Sequence, residues 1–241
     1  MPDTSPFTPQ SHPVVSHEQW LAARTAFVAK EKEFTRLRDE LSRQRRDLPW
    51  EAVDQNYVFE GPNGKQSLAD LFAGRSQLIV YHFMFDATWA AGCPICSFWA
   101  DNFNGIVDHL AQRDITMLAI SKAPYDKLAA YEKRMGWSFK WMSSAENEFN
   151  RDYGVSFTPD EMTAKKAFYN YTMQEPRKPE REGISVFYKD AAGRIFHTYS
   201  AYARGIDMVN TAYHYLDLAP KGRDEGGRGP FWVKRHDEYA R

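Results

Sequence analysis

Residues 77–96 read QLIVYHFMFDATWAAGCPIC, an apolar run that leads into a pair of cysteines. Gln77–Phe85 is a near-continuous apolar run rich in β-forming residues, the pattern of a strand buried on both faces. A short loop leads to Cys93 and Cys96, three positions apart. Ile95, Phe98, Trp99, Phe103, Ile106, Val107 and Leu110 then recur at helical spacing. That spacing predicts an amphipathic helix of about five turns. The two thiols are thus expected at a strand-to-helix junction.

Downstream the alternation continues. Ile115–Ile120 reads as a second buried strand. Pro124 opens a helix carrying Leu128, Tyr131 and Met135 on one face, and Gly136 closes it. Phe139 and Trp141 alternate in a third strand. Phe149 and Tyr153 stack one turn apart on a short helix ended by Gly154. Residues 155–182 are charged and give no assignable element, the mark of a functional insertion or a flexible segment. Ile184–Tyr188 and Arg194–Ser200 flank Asp190-Ala191-Ala192-Gly193 as a hairpin, and Ile206, Val209, Tyr213 and Leu216 mark a last helix. Strands alternating with helices argue for a parallel-containing sheet covered on both faces.

Upstream, Tyr57–Phe59 and Gly61-Pro62-Asn63-Gly64 read as a strand and turn, and Ser67–Phe72 as one or two helical turns. Ser16 caps a long helix, with Gln19 in the capping-box position. Trp20, Phe27, Phe34, Leu41 and Leu48 follow at seven-residue spacing, with Ala23 and Leu37 filling in. Such a stripe packs on its own domain or forms an association seam. Residues 1–15, with four prolines, read as a disordered or draped arm. The expected organisation is an arm and long helix over 1–50, a main domain over 51–218 with an insertion at about 155–182, and a Gly/Arg-rich tail over 219–241.

The 241-residue chain is 43% hydrophobic, 15% aromatic and 26% charged, a globular composition. Its formal net charge of −1 argues against a nucleic acid or anionic membrane as partner. No apolar run approaches the ~20 residues of a membrane span, and the first residues lack the pattern of a secretory signal. A cytoplasmic location is expected. The cysteine count of 2 is too low for a secreted disulfide framework. No Walker loop, dinucleotide fingerprint or metalloprotease motif occurs, so no cofactor is expected.

Cys93-Pro94-Ile95-Cys96 carries the chemistry. At a helix N-terminus, unpaired N–H groups and the dipole favour the thiolate of Cys93 over the thiol. Cys96 stands one turn further on, within reach of a disulfide. Pro94 is tolerated in the first helical turn. Buried, inert thiols are the competing reading, since free cysteine is often buried. A zinc site would need two further ligands, which no second CxxC or close histidine pair supplies. His82, inside the apolar strand, reads as a hydrogen-bonded core histidine. His197 can approach the dithiol from the hairpin. Trp89 and Trp99 flank the motif, and Asp86 and Asp101 are further polar groups near it.

From Leu78 through Gly154 the chain resembles thioredoxin and peroxiredoxin domains. The stretches Ile115–Ser121, Arg134–Trp137 and Glu148–Val155 resemble peroxiredoxins in particular. Over residues 16 to the end it is more similar to an uncharacterised bacterial family, domain of unknown function 899. The matching stretches are Ser67–Phe72, Gln77–Phe85, Gly92–Asn102 and Gly222–Glu225. The resemblance implies a thioredoxin-like α/β fold, a mixed sheet flanked by helices, with an N-terminal helical extension. Two departures stand out. Thioredoxins carry a cis-proline before the strand facing the dithiol, whereas Ser185 stands near that position here. Peroxiredoxins place threonine three residues before the reactive cysteine, where this chain has Ala90 and the nearest threonine is Thr88. Arg181 precedes the strand roughly where peroxiredoxins hold an arginine. Trp89 occupies the loop position of a thioredoxin tryptophan.

The expected function is thiol–disulfide exchange, with Cys93 as nucleophile and Cys96 as resolving thiol. A disulfide-containing protein or a small thiol or disulfide would be the substrate. The alternatives are a thiol peroxidase, with a Cys93 sulfenic acid trapped by Cys96, and a non-enzymatic binding scaffold. A homodimer through the 16–48 helix is also expected.

Overall fold

A computed structural model describes residues 12–240; residues 1–11 of the proline-rich arm lie outside them. The chain forms two compact units. The first comprises residues up to Pro49 and Gly226–Gly229, and the second Trp50–Glu225 and Pro230 onward.

In the first unit, α1 runs His17–Arg46. Ser16 and Gln19 close the expected capping box, and Arg43, Arg45 and Arg46 occupy the last turn, where positive charge suits the dipole. Arg24 pairs with Glu31 at 2.7 Å, and Arg43 with Glu40 at 2.8 Å and Asp47 at 2.7 Å. No residue of α1 is buried, and Leu48 falls past its end.

The second unit is built on an eight-stranded mixed sheet. Its elements in order are β1 (Glu51–Ala52), β2 (Val58–Gly61), β3 (Gly64–Ser67), α2 (Leu68–Leu71), β4 (Gln77–His82), α3 (Pro94–Ala100), α4 (Ile106–Ala111), β5 (Ile115–Ser121), α5 (Tyr125–Met135), β6 (Trp141–Ser143), α6 (Phe149–Asp152), α7 (Pro159–Ala164), β7 (Ala167–Tyr169), β8 (Thr172–Gln174), β9 (Gly183–Lys189), β10 (Ile195–Tyr202) and α8 (Thr211–Leu218). The sheet order is β1-β10-β9-β4-β5-β6-β2-β3. β4 is central: Val80 faces Leu118 of parallel β5 on one side and Ser185 of antiparallel β9 on the other. Two parallel crossovers joined to an antiparallel hairpin, with helices on the sheet, make this a thioredoxin-like fold.

Alternation along β4 divides the core between the two faces. Tyr81 and Phe83 join Cys93, Cys96, Trp99, Tyr131 and Trp141 on one side. Leu78 and Val80 join Leu118, Ile120, Phe149 and Phe187 on the other. Phe83 and Trp141 pack with ring centroids 4.6 Å apart and planes tilted by 55°. Burying rings of this size is worth roughly 1.5–3 kcal/mol each, which fixes the sheet beneath the dithiol.

The helix expected after the dithiol is broken in two. Asn102 turns its side-chain amide onto the carbonyls of Phe98 and Trp99, at 2.8 and 3.0 Å. Gly105 follows with φ +86°, a conformation that ends one helix before α4 begins. The last helix divides in the same way: Ala203–Val209 is a 3₁₀ segment, and Asn210 caps α8. The stretch 155–182 holds α7, capped by the Thr158–Glu161 box, and the β7–β8 hairpin. Among the described residues no helix is long and apolar enough to cross a membrane.

Candidate functional site: the dithiol and its cleft

Cys93 is the residue before α3, and Pro94 opens that helix. α3 has only seven residues, so its dipole is short and individual hydrogen bonds matter more. The pair is tied to the end of the central strand through Met84. The N–H of Cys93 donates to the Met84 carbonyl at 3.1 Å, and the N–H of Met84 donates to Cys96 Sγ at 3.4 Å. Gly92 precedes the motif because nothing larger fits. A Cβ there would lie 2.8 Å from Phe83 Cε1 and 3.0 Å from Tyr131 Cε1.

The two thiols differ sharply. The Cys96 thiol hydrogen-bonds to Cys93 and lowers its pKa most. Burial opposes this, but the N–H groups of Cys96 and Ile95 and the charge of Lys178 add to the lowering, which reaches about 7. Cys96 moves the other way, well above the ordinary thiol range. Burial is the main cause, followed by the bond it donates to Cys93, the charge of Cys93 and that of Glu182. Cys93 is 4% exposed and Cys96 0%.

Cys93 borders a cleft of ≈ 360 Å³. Trp89, Ala91, Gly92 and Pro94 form one side, and Arg177, Lys178, Pro179 and Arg235 complete it. Arg235 straps the loop from behind: Nη2 donates to the Gly92 carbonyl at 2.7 Å and Nε to Tyr131 Oη at 2.8 Å. The Tyr131 hydroxyl meets Ser97 Oγ at 2.9 Å, and that hydroxyl donates to the Cys93 carbonyl at 2.9 Å. The C-terminal segment therefore holds the Gly92 carbonyl directly and meets, through Tyr131, the Ser97 hydroxyl that holds the Cys93 carbonyl. Sequence gives little warning of this: Arg235 lies more than a hundred residues from its partners, in a stretch that reads as a tail.

Of the residues the sequence nominates, Cys93, Cys96, Pro94 and Trp89 come together here. Trp89 is half-buried, and Lys127 Nζ donates to its carbonyl at 2.9 Å. Ser185, His197 and Arg181 stand elsewhere. Ser185 lies on the other face of β9 from Ile184 and Val186, which pack with the cysteines. It joins His82 Nε2 at 2.8 Å and Ser200 Oγ at 2.8 Å. His197 Nε2 reaches the same Ser200 hydroxyl at 2.7 Å, and its ring packs against Tyr153 and Phe187. Both therefore belong to a polar chain across the sheet from the dithiol, which also accounts for His82 in the core. The Arg181 guanidinium stacks 4.5 Å over Tyr169, outside the cleft lining. Asp86 accepts from Thr88, and Asp101 from Trp137 Nε1 at 2.8 Å. Among the described residues no group of three His, Cys, Asp or Glu could hold a metal ion.

Among curated proteins, none matches the sequence. Several solved structures are similar in fold. Peroxiredoxin Q from Xanthomonas campestris is 11% identical, with TM-score 0.48, over 71% of this chain and 98% of that one. Peroxidoxin BcpB from Mycobacterium tuberculosis is 14% identical, with TM-score 0.45, over 68% and 94%. A thiol:disulfide interchange protein DsbE from Chlorobium tepidum is 12% identical, with TM-score 0.41, over 71% and 97%. The sequence itself is more decisive: matched over residues 9–239, the chain belongs to the family of bacterial proteins of unknown function DUF899.

Proposed function

We propose that the protein is a thiol–disulfide oxidoreductase in which Cys93 attacks and Cys96 resolves. The asymmetry of the pair carries this reading: one sulfur borders a cleft and is held by donors, and the other is sealed beneath it. The Cys93 thiolate attacks one sulfur of a substrate disulfide. The substrate S–S bond breaks, a mixed disulfide forms, and the first substrate thiolate leaves and takes a proton. Cys93 then carries no charge, which removes one of the causes that keep Cys96 protonated. Cys96 loses its proton and attacks Cys93, and the second substrate thiolate leaves. Two electrons have passed to the substrate, and an external thiol reductant restores the dithiol. Two cysteines three apart fit a reducing compartment, which supports the reading of a cytoplasmic protein.

Iodoacetamide labelling followed by mass tests the assignment. The folded protein should label at Cys93 with a half-maximal rate near pH 7, while Cys96 stays unmodified. Resistance of both thiols until denaturation would overturn the proposal. Peroxide consumption dependent on Cys93, without activity on disulfides, would transfer the assignment to a thiol peroxidase.

A further inference from the structure

The cleft beside Cys93 is lined by three cations and no carboxylate. Arg235 is already engaged: besides Gly92 and Tyr131, its Nη1 donates to Glu238 Oε1 at 2.8 Å. Arg177 and Lys178 are different. Both are exposed, and neither has an ion pair among the described residues. Lys178 Nζ stands 5.9 Å from the Trp89 ring centroid across the cleft.

These two cations do not ride on a loose loop. Pro176, which is buried, and Pro179 flank them and fix the backbone on either side. The Pro179 carbonyl accepts from Phe157 N–H at 2.9 Å, and the next residue bridges Ser156. The Glu180 carboxylate is buried and accepts from Ser156 Oγ at 2.6 Å and Asn150 Nδ2 at 3.3 Å. The insertion thus presents two uncompensated positive charges at a fixed place beside the reactive sulfur. Guanidinium and ammonium groups together suit carboxylate, the former through paired hydrogen bonds. The volume lies near the lower end of the ~300–1,000 Å³ usual for small-molecule sites.

We propose that the substrate is a low-molecular-weight disulfide bearing carboxylates, held by Arg177 and Lys178 with its chain against Trp89; this rests on the thiol–disulfide reading above. The carboxylate docks on the cations, one disulfide sulfur meets Cys93, and the dithiol reduces the disulfide to two thiols by the same two-electron exchange.

The test uses the full chain with Cys96→Ser, so that reaction stops at the mixed disulfide. Its formation at Cys93 is followed by mass for dithiodipropionate, hydroxyethyl disulfide and cystamine, each rate divided by that of the same disulfide with dithiothreitol. The anionic compound should lead the cationic one by about tenfold or more at low salt, with the neutral one between, and the spread should shrink at high salt. Arg177→Gln should lower the dithiodipropionate rate by roughly threefold relative to the same protein's rate with neutral iodoacetamide. Equal normalised rates for the three disulfides would overturn the substrate class and leave thiol–disulfide exchange standing. Failure of Cys93 to react with any of them would overturn the exchange reading itself.

Discussion

His82 and Glu180 are ionisable side chains buried in the core unit, and their titrations oppose each other. Burial, helped by the charge of His197, pushes His82 down to about 3 from an ordinary 6.5. The unfolded chain therefore binds its proton first, and stability is lost as pH falls from 6.5 toward 3. Burial pushes Glu180 up to about 7 from 4.5, against the lowering by its bonds from Ser156 and Asn150. Here the folded chain binds the proton first. Its favourable contribution is complete below 4.5 and is lost as pH rises through about 7. Between pH 4.5 and 6.5 the two slopes, each about 1.4 kcal/mol per pH unit, cancel. His82→Gln should then give a protein whose stability falls with rising pH across that window, and Glu180→Gln one whose stability rises. Urea midpoints at three pH values check both signs, and parallel slopes in the two variants would refute the pairing. Arg235→Gln acts differently. It removes the strap on the Gly92 carbonyl and should cost about 1–3 kcal/mol. Its charge is not among the causes acting on Cys93, so the pH of half-maximal alkylation should hold near 7.

At the scale of elements, the 155–182 segment, which carries Arg177 and Lys178, is shaped in part by α7. Thr158 Oγ1 accepts from Glu161 N–H at 3.2 Å, and Glu161 Oε2 accepts from Thr158 N–H at 2.8 Å. Arg151 holds the same carboxylate at 2.8 Å. Thr158→Ala should cost about 0.5–2 kcal/mol. Hydrogen exchange should quicken in α7 and the β7–β8 hairpin while β4 and β5 keep their protection, whereas uniform loss would mean the insertion folds as one with the core. Sequence carries this box as plainly as it carries the Ser16–Gln19 box, yet the latter is legible and the former is not. The helix after Ser16 runs thirty residues and displays a period, while α7 has six residues and too few apolar positions to show one. The central strands, the closing Gly136 and the Asp190–Gly193 turn were legible because each has a local signal of that kind. The break at Gly105 was masked by apolar residues that continue at helical spacing across it. Arg235, the cationic rim and the His82–Ser185–Ser200–His197 chain depend on contacts between residues distant in sequence, which no local pattern records. The dithiol was legible and its cleft was not, for the same reason.

On the scale of the whole molecule, the stripe on α1 needs a partner surface. Trp20, Phe27, Phe34 and Leu41 are 53, 53, 66 and 54% exposed, and Leu37 between them 62%. Each such side chain is worth ~1.5–3 kcal/mol when withdrawn from water. The occupant that best fits a strict seven-residue repeat is a second copy of the same helix. A straight α-helix drifts about 20° per heptad from that repeat, so the stripe stays in line only along a helix that supercoils about another. The charged flanks suit this too. Arg24 pairs with Glu31, and Arg43 with Glu40 and Asp47, so charges of both signs run along α1. We therefore expect a homodimer joined through residues 16–48, with the dithiol in the core unit of each copy. Light scattering should give a dimer mass for the full chain at tens of micromolar, and Phe27→Glu with Phe34→Glu should shift it to a monomer. Both positions lie in the first unit and the dithiol in the second, so the double variant should keep its Cys93 alkylation rate. A monomeric full-length protein at that concentration would sink the dimer and leave the stripe to packing within one chain.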